Sequence, residues 1–129
     1  MNLVAGNFGE CGSVNAFYVG KISYDDSDID TGEVVYEAPA PMVISQVAVE
    51  VKTAFNAGTT NVLTFGSNAG VDNLCGSSDI TEGSTGMNVK STFLKLAKGD
   101  KVKAKYAQTG TAATAGAAEI YFIGTQLPE

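Results

Sequence analysis

The chain has 129 residues, a net charge of −6 and 44% hydrophobic residues, which suits one folded domain with a real core. It contains no His, Trp or Arg, and all eight cations are Lys. This excludes an imidazole base, a Ser-His-Asp or Cys-His arrangement, a His-ligated metal and an Arg clamp on phosphate. We therefore expect a protein that is not an enzyme. Because the chain is acidic, nucleic acid is not an expected partner.

In chain order, the first element is an arm. Residues 1–16 are rich in Gly and Asn, with isolated apolar side chains at Leu3, Val4 and Phe8. Such a segment frays alone but finds apolar contacts on a neighbouring subunit. We predict an N-terminal arm over residues 1–16 and one β domain over residues 17–129. No secretory leader is expected, because residues 1–14 contain no Lys or Arg and no apolar block. No membrane partner is expected, because no apolar run approaches the ~18–20 residues needed to span a bilayer.

Alternation of apolar and polar residues dominates the rest of the chain. It is clearest in Val47–Phe55, whose odd-numbered residues are Val, Val, Val, Thr and Phe and are expected inside. In Lys101–Tyr106, Val102, Ala104 and Tyr106 are expected inside and three lysines outside. Five further strands are predicted at Val14–Ile22, Glu33–Tyr36, Asn61–Gly66, Asn88–Leu96 and Glu119–Ile123.

Clusters of Gly, Asn, Thr and Asp separate these strands, a spacing typical of a sandwich or small barrel. With about eight short strands, and a first and last strand able to pair, we predict an all-β fold. Its architecture is a single jelly-roll-like β-sandwich or barrel with an N-terminal arm. Aromatic residues at strand positions are assigned mainly to the core: Phe17, Tyr18, Tyr36, Phe55, Phe65, Phe93, Tyr106, Tyr121 and Phe122.

The segment Thr109–Ala118 contains mainly Thr, Ala and Gly and no bulky side chain. One interpretation is a long exposed loop. The other is a tight contact with a partner, because small side chains permit close approach of two backbones.

The sharpest local motif is an acidic stretch in the first third of the chain. With Asp26 as the first position, Asp28 and Asp30 occupy the third and fifth and Glu37 the twelfth, which is the ligand spacing of a calcium loop. The sixth position, however, is Thr31 where such loops need Gly, and the flanks are predicted strands. Calcium is the one cofactor that the spacing suggests; a solvated acidic loop is the alternative.

Charge is spread unevenly along the chain. Residues 1–50 hold one Lys and eight acidic residues, whereas residues 90–105 hold six Lys and one Asp. The basic segment is either a solvated strand face or a contact with an acidic surface on a neighbouring copy or a larger scaffold. The candidate contact residues are Lys95, Lys98, Lys101, Lys103 and Lys105.

The two cysteines, Cys11 and Cys75, form no C-x-x-C pair and are too few to hold zinc. They are either two small buried thiols or one disulfide.

Three phrases carry a resemblance to a known family. They are VAVEVKTAFNAGTTNVLTFG from Val47, VDNL from Val71 with SDITEG from Ser78, and KAKYAQTGTAATAGAAEIYF from Lys103. Over Val43–Ile123, about two thirds of the chain, the sequence resembles small accessory structural proteins of tailed bacteriophages. The resemblance covers strands and turns and includes no catalytic motif.

This resemblance implies a head decoration or cement protein on the capsid surface of the virion, synthesised in the host cytoplasm. Its implied partners are the major capsid protein and further copies of itself in a homotrimer. A carbohydrate-binding module of a tail tip or fibre is the alternative, because jelly rolls also bind sugars on exposed loops.

Overall fold

A computed structural model describes residues 14–67, 70 and 72–128, and this part of the chain is all-β. Seven strands are present: β1 (Val14–Ser23), β2 (Glu33–Glu37), β3 (Met42–Thr53), β4 (Thr60–Ser67), β5 (Gly86–Leu96), β6 (Lys101–Thr109) and β7 (Ala117–Gln126). They form a β-sandwich of two antiparallel sheets, with strand orders β1-β7-β3-β5 and β2-β6-β4. In the residues described, no helix is long and apolar enough to cross a bilayer.

Each predicted strand overlaps one of the seven strands, although Ala54 and Phe55 of the predicted strand Val47–Phe55 lie beyond the end of β3. The predicted pairing of the first and last strands is confirmed by β1 and β7. The expected number of about eight is one too high for the described residues. Between β4 and β5, the described part of the chain forms an isolated bridge, which joins Cys75 to Phe65 of β4, in place of a further strand. Residues 14–16, assigned to the arm as well as to the first strand, pair with β7 and belong to the sheet.

The predicted alternation is confirmed in β6, where Val102, Ala104 and Tyr106 are buried. In β3 it holds through Val51 and fails at Thr53, which is exposed at the end of the strand. The remaining residue of that pattern, Phe55, is buried from the following loop, because its ring packs against Tyr106 at a centroid distance of 4.9 Å.

An aromatic cluster joins the two sheets. Phe122 of β7 packs edge-on against Phe17 of β1 and Tyr36 of β2, at centroid distances of 6.0 and 5.4 Å. Edge-to-face pairs stabilise beyond the burial of their area alone. The sandwich is therefore held at this point by contacts that run both within one sheet and across to the other.

The small-residue segment is anchored within the chain. The side chain of Asn56 accepts the N–H groups of Thr114 and Ala115 at 2.8 and 3.0 Å. Gly116 has φ of +151° and leaves no room for a Cβ beside the ring of Phe55. Close approach is thus required here, but to the chain's own β3–β4 loop.

Candidate interaction surfaces

Strand β6 carries a row of lysines on the outer face of the three-stranded sheet. Because the apolar residues of β6 point into the core, the alternate residues Lys101, Lys103 and Lys105 point outward. Strand β6 lies between β2 and β4, so the row follows the middle of this face. Among the residues described, neither Lys103 nor Lys105 forms an ion pair with a carboxylate. We call these three residues the lysine row.

The other two lysines of the predicted contact set lie elsewhere. Lys95 is exposed on β5, which belongs to the four-stranded sheet. Lys98 is exposed in the turn between β5 and β6, where the N–H of Ala97 donates to the Asp100 carboxylate at 2.8 Å. The fold therefore brings three of the five predicted lysines together and separates the other two from them.

An acidic loop, residues 24–32, lies beside the lysine row. Ile29 of this loop is buried, and its carbonyl accepts the N–H of Tyr106 in β6 at 2.7 Å. At the start of the loop, the Asp26 carboxylate accepts the N–H of Ser23 at 2.8 Å. The bond from Tyr106 holds the acidic loop against the C-terminal half of β6, so basic and acidic surfaces adjoin.

A carboxylate outside the predicted calcium set interacts with this loop. Glu33 begins β2, and its Oε1 atom is buried with no hydrogen-bond partner in the described part of the chain. Burial, then the charge and hydrogen bond of Asp26, then the charge of Asp28, raise the pKa of Glu33 to about 7. Glu33 therefore retains a proton close to neutral pH.

The four carboxylates of the calcium spacing are not gathered around one point. Within the described residues, which include Asp26, Asp28, Asp30 and Glu37, no group of three or more Asp, Glu or Cys side chains is placed to hold a metal ion. Glu37 lies in β2, opposite Lys101 of β6. Calcium binding thus stays a prediction from spacing, without a site in the fold to carry it.

The outer face of the four-stranded sheet is apolar. One row across it consists of Tyr18, Tyr121, Ala48 and Val89, which are neighbours in the registers of β1, β7, β3 and β5. The rings of Tyr18 and Tyr121 are in contact at a centroid distance of 5.4 Å. We call this surface the apolar face; its exposed members are Val14 (66% exposed), Tyr18 (51%), Met87 (55%), Val89 (57%) and Phe93 (81%).

Assignment of Tyr18 and Phe93 to the core was wrong. On β5, two side chains that alternate with the exposed ones, Asn88 and Lys90, bind a neighbouring loop. Asn88 accepts the N–H of Thr81 at 3.0 Å, and Lys90 forms a 3.3 Å ion pair with Asp79. With its polar side chains bound to this loop, β5 directs its apolar side chains outward, an arrangement that alternation alone does not distinguish from the reverse.

The segment 72–82 closes the outer edge of β4. The Glu82 carboxylate accepts the N–H of Leu63 at 2.8 Å, and Phe65 exchanges backbone hydrogen bonds with Cys75 at 3.0 and 3.1 Å. The Cys75 thiol is free and buried, and burial, as the largest cause, raises its pKa to about 12. This fits the prediction of a small buried thiol.

Four residues singled out in the sequence lie outside the described residues. They are Leu3, Val4 and Phe8 of the predicted arm, and Cys11.

No protein-family model matches the chain, and no curated protein matches its sequence. In structure it is similar to a chain of a solved structure described as the cyanophage Pam1 capsid asymmetric unit, with a TM-score of 0.66 at 17% sequence identity. The match covers 99% of this chain and 94% of that chain. At this identity the likeness shows a shared fold, and it extends over nearly the full length of both chains.

Proposed function

We propose that this chain is a virion structural protein of a tailed bacteriophage, without catalytic activity. The observation that carries the proposal is the full-length similarity of fold to a chain from a cyanophage capsid structure. The resemblance of Val43–Ile123 to small accessory proteins of tailed phages agrees with it. The finer role that we propose is a decoration or cement protein, bound outside the major capsid lattice as a homotrimer.

The winding of the chain supports this role. Consecutive strands alternate between the sheets, so that odd-numbered strands form one sheet and even-numbered strands the other. We interpret this as a jelly roll with one strand reduced to the bridge between Phe65 and Cys75. Such a sandwich presents two rigid outer faces, which suits a protein that acts by covering a junction between larger subunits.

The lysine row is the proposed contact with the capsid. Its three positive charges lie in the middle of a rigid sheet, and Lys103 and Lys105 have no ion-pair partner among the described residues. An acidic capsid surface would complement them and fix the orientation of binding. Because many copies bind one shell, a modest affinity for each copy is sufficient.

The first experiment is immunogold electron microscopy of the virus particles, with an antibody against this chain. Label over the heads is expected. Label at the tail tip would favour the carbohydrate-binding alternative, and particles without label would contradict a virion role.

The capsid contact is tested with purified chain and particles that lack it. The double variant Lys103→Glu/Lys105→Glu should lose particle binding by more than tenfold, because it reverses charge in the middle of the face. The matched control is Lys98→Glu, an exposed lysine in the turn between β5 and β6 that the fold separates from the row, which should bind as the wild type does. Equal binding by the double variant would contradict the assignment of the lysine row.

The arm is tested by deletion of residues 1–13, which leaves β1 whole. We expect a folded domain that no longer protects particles against heat. Equal protection by the truncated chain would contradict a role for Leu3, Val4 and Phe8 in binding.

A further inference from the structure

The apolar face is as large as the largest apolar patch that a typical soluble monomer exposes, and such patches are often functional. Its five exposed side chains leave on the order of 500 Å² of apolar area uncovered, since a large side chain carries ~150–250 Å². The largest apolar patch on a typical monomer is about 300–600 Å², and one side of a standard protein interface is about 800 Å². With its polar border, the apolar face is therefore of the size that one partner contributes to a stable complex.

The charges at the border of this face nearly cancel one another: two Lys and two Glu compensate, and Lys95, exposed on β5 beside Phe93, leaves one positive charge over. Lys52 lies 3.7 Å from the Glu50 carboxylate and 3.8 Å from that of Glu119, and Lys21 is opposite Glu119 in the β1–β7 register. A nearly balanced border does not select a strongly acidic or basic partner. It is, however, what a surface needs to bind a second copy of itself, because an excess of one sign would repel the same excess on the copy.

The lysine row shows the opposite property. Three lysines on one face would repel the same three on a second copy at close range. For face-to-face contact with an identical chain, the apolar face is therefore the better suited of the two outer faces.

The edge beside this face is also open. Strand β5 is the last strand of the four-stranded sheet, and in the described part of the chain its backbone makes hydrogen bonds only towards β3. Phe93, the most exposed large apolar residue described, lies on this strand. Exposed apolar side chains on an open edge strand promote association of chains unless a partner covers them.

We propose that the apolar face binds a second copy of this chain, with Val89 and Phe93 at the contact. This inference rests on the self-association in the proposed function and names a surface through which two copies meet. It concerns the isolated chain, so it does not depend on whether the assembly binds a capsid.

The test is the mass of the purified full-length chain by light scattering after size-exclusion chromatography. The wild type should have a mass at least twice the 13.3 kDa of one chain. Phe93→Lys and Val89→Lys should each shift it to the mass of one chain, with an unchanged far-UV circular dichroism spectrum, since both side chains project into solvent.

The matched control is Val34→Lys, a substitution at a similarly exposed strand valine on the three-stranded sheet, which should keep the mass of the wild type. A wild-type chain of monomer mass would overturn the proposal and leave the arm or the capsid as occupant of the face. An assembly that both lysine variants leave intact would overturn it as well. Loss of particle binding by an intact assembly would instead count against the proposed function alone.

Discussion

The two outer faces of the sandwich differ although the two sheets share one core. The three-stranded sheet exposes the lysine row and holds the acidic loop beside it. The four-stranded sheet exposes Tyr18, Met87, Val89 and Phe93 inside a border of nearly balanced charge. Charge fixes orientation and apolar area provides affinity, so the two faces are suited to different partners.

The edges of the two sheets differ in the same way. The outer edge of β4 is closed by the segment 72–82, whose backbone and Glu82 carboxylate satisfy its N–H groups. The β5 edge is left without such a cover in the described residues. Of these two edges, the β5 edge beside Phe93 is therefore the one available for pairing with a partner.

The largest expected effect distinguishes the shared core from the apolar face. Phe122→Ala should lower the free energy of unfolding by about 3–5 kcal/mol, because it removes a fully buried ring that packs against both Phe17 and Tyr36. Tyr121→Ala, at the adjacent and outward position, should cost about 1 kcal/mol. Urea unfolding measures both, and equal losses would contradict the distinction between inner and outer side chains.

The next effect tests the closed edge of β4. Glu82→Ala removes the acceptor of the buried Leu63 N–H and should cost about 1–3 kcal/mol. Glu82→Gln keeps an acceptor oxygen and should recover more than half of this loss. If both variants unfold at the urea concentration of the wild type, the hydrogen bond from Glu82 does not stabilise the edge.

The core variant Phe122→Ala and the edge variant Glu82→Ala also show what the sequence can and cannot predict. The alternation around Val49 and Val102 reports which side of a strand is buried, so the strands and most of the core follow from it. The cover of the β4 edge depends on a hydrogen bond between Leu63 and Glu82, which are 19 residues apart in sequence. No local sequence pattern contains such a non-local contact. For the same reason the outward direction of Phe93 was missed, whereas three lysines of β6 were predicted correctly as outward.

A smaller effect concerns the border of the lysine row. The pKa of Glu33 is raised from 4.5 to about 7, so the folded chain keeps a proton that the unfolded chain releases in this range. The free energy of unfolding should therefore fall as the pH rises from about 4.5 to 7. Glu33→Gln removes this dependence, and at pH 8 it should melt roughly 2–4 °C above the wild type, with no difference at pH 4.

Asp26→Asn is the companion variant for this titration, because the amide oxygen still accepts the Ser23 N–H while the negative charge is lost. It should reduce the pH dependence in the same direction. If the difference in melting temperature between the wild type and Glu33→Gln is the same at pH 4 and at pH 8, the raised pKa of Glu33 is contradicted.

The smallest effect tests the nearly balanced border of the apolar face. Glu50 and Glu119 are directly opposite in the β3–β7 register, a destabilising arrangement of like charges that Lys52 compensates by lying near both. Lys52→Ala should lower the free energy of unfolding by less than about 1 kcal/mol, as is usual for exposed pairs. The loss should shrink in 1 M salt, because the electrostatic screening length there is only ~3 Å.

Lys98→Ala, in the exposed turn, should change stability less than Lys52→Ala at low salt. If the two alanine variants are equally stable at low salt, Lys52 does not neutralise the border, and the charge argument for a second copy at the apolar face loses its basis.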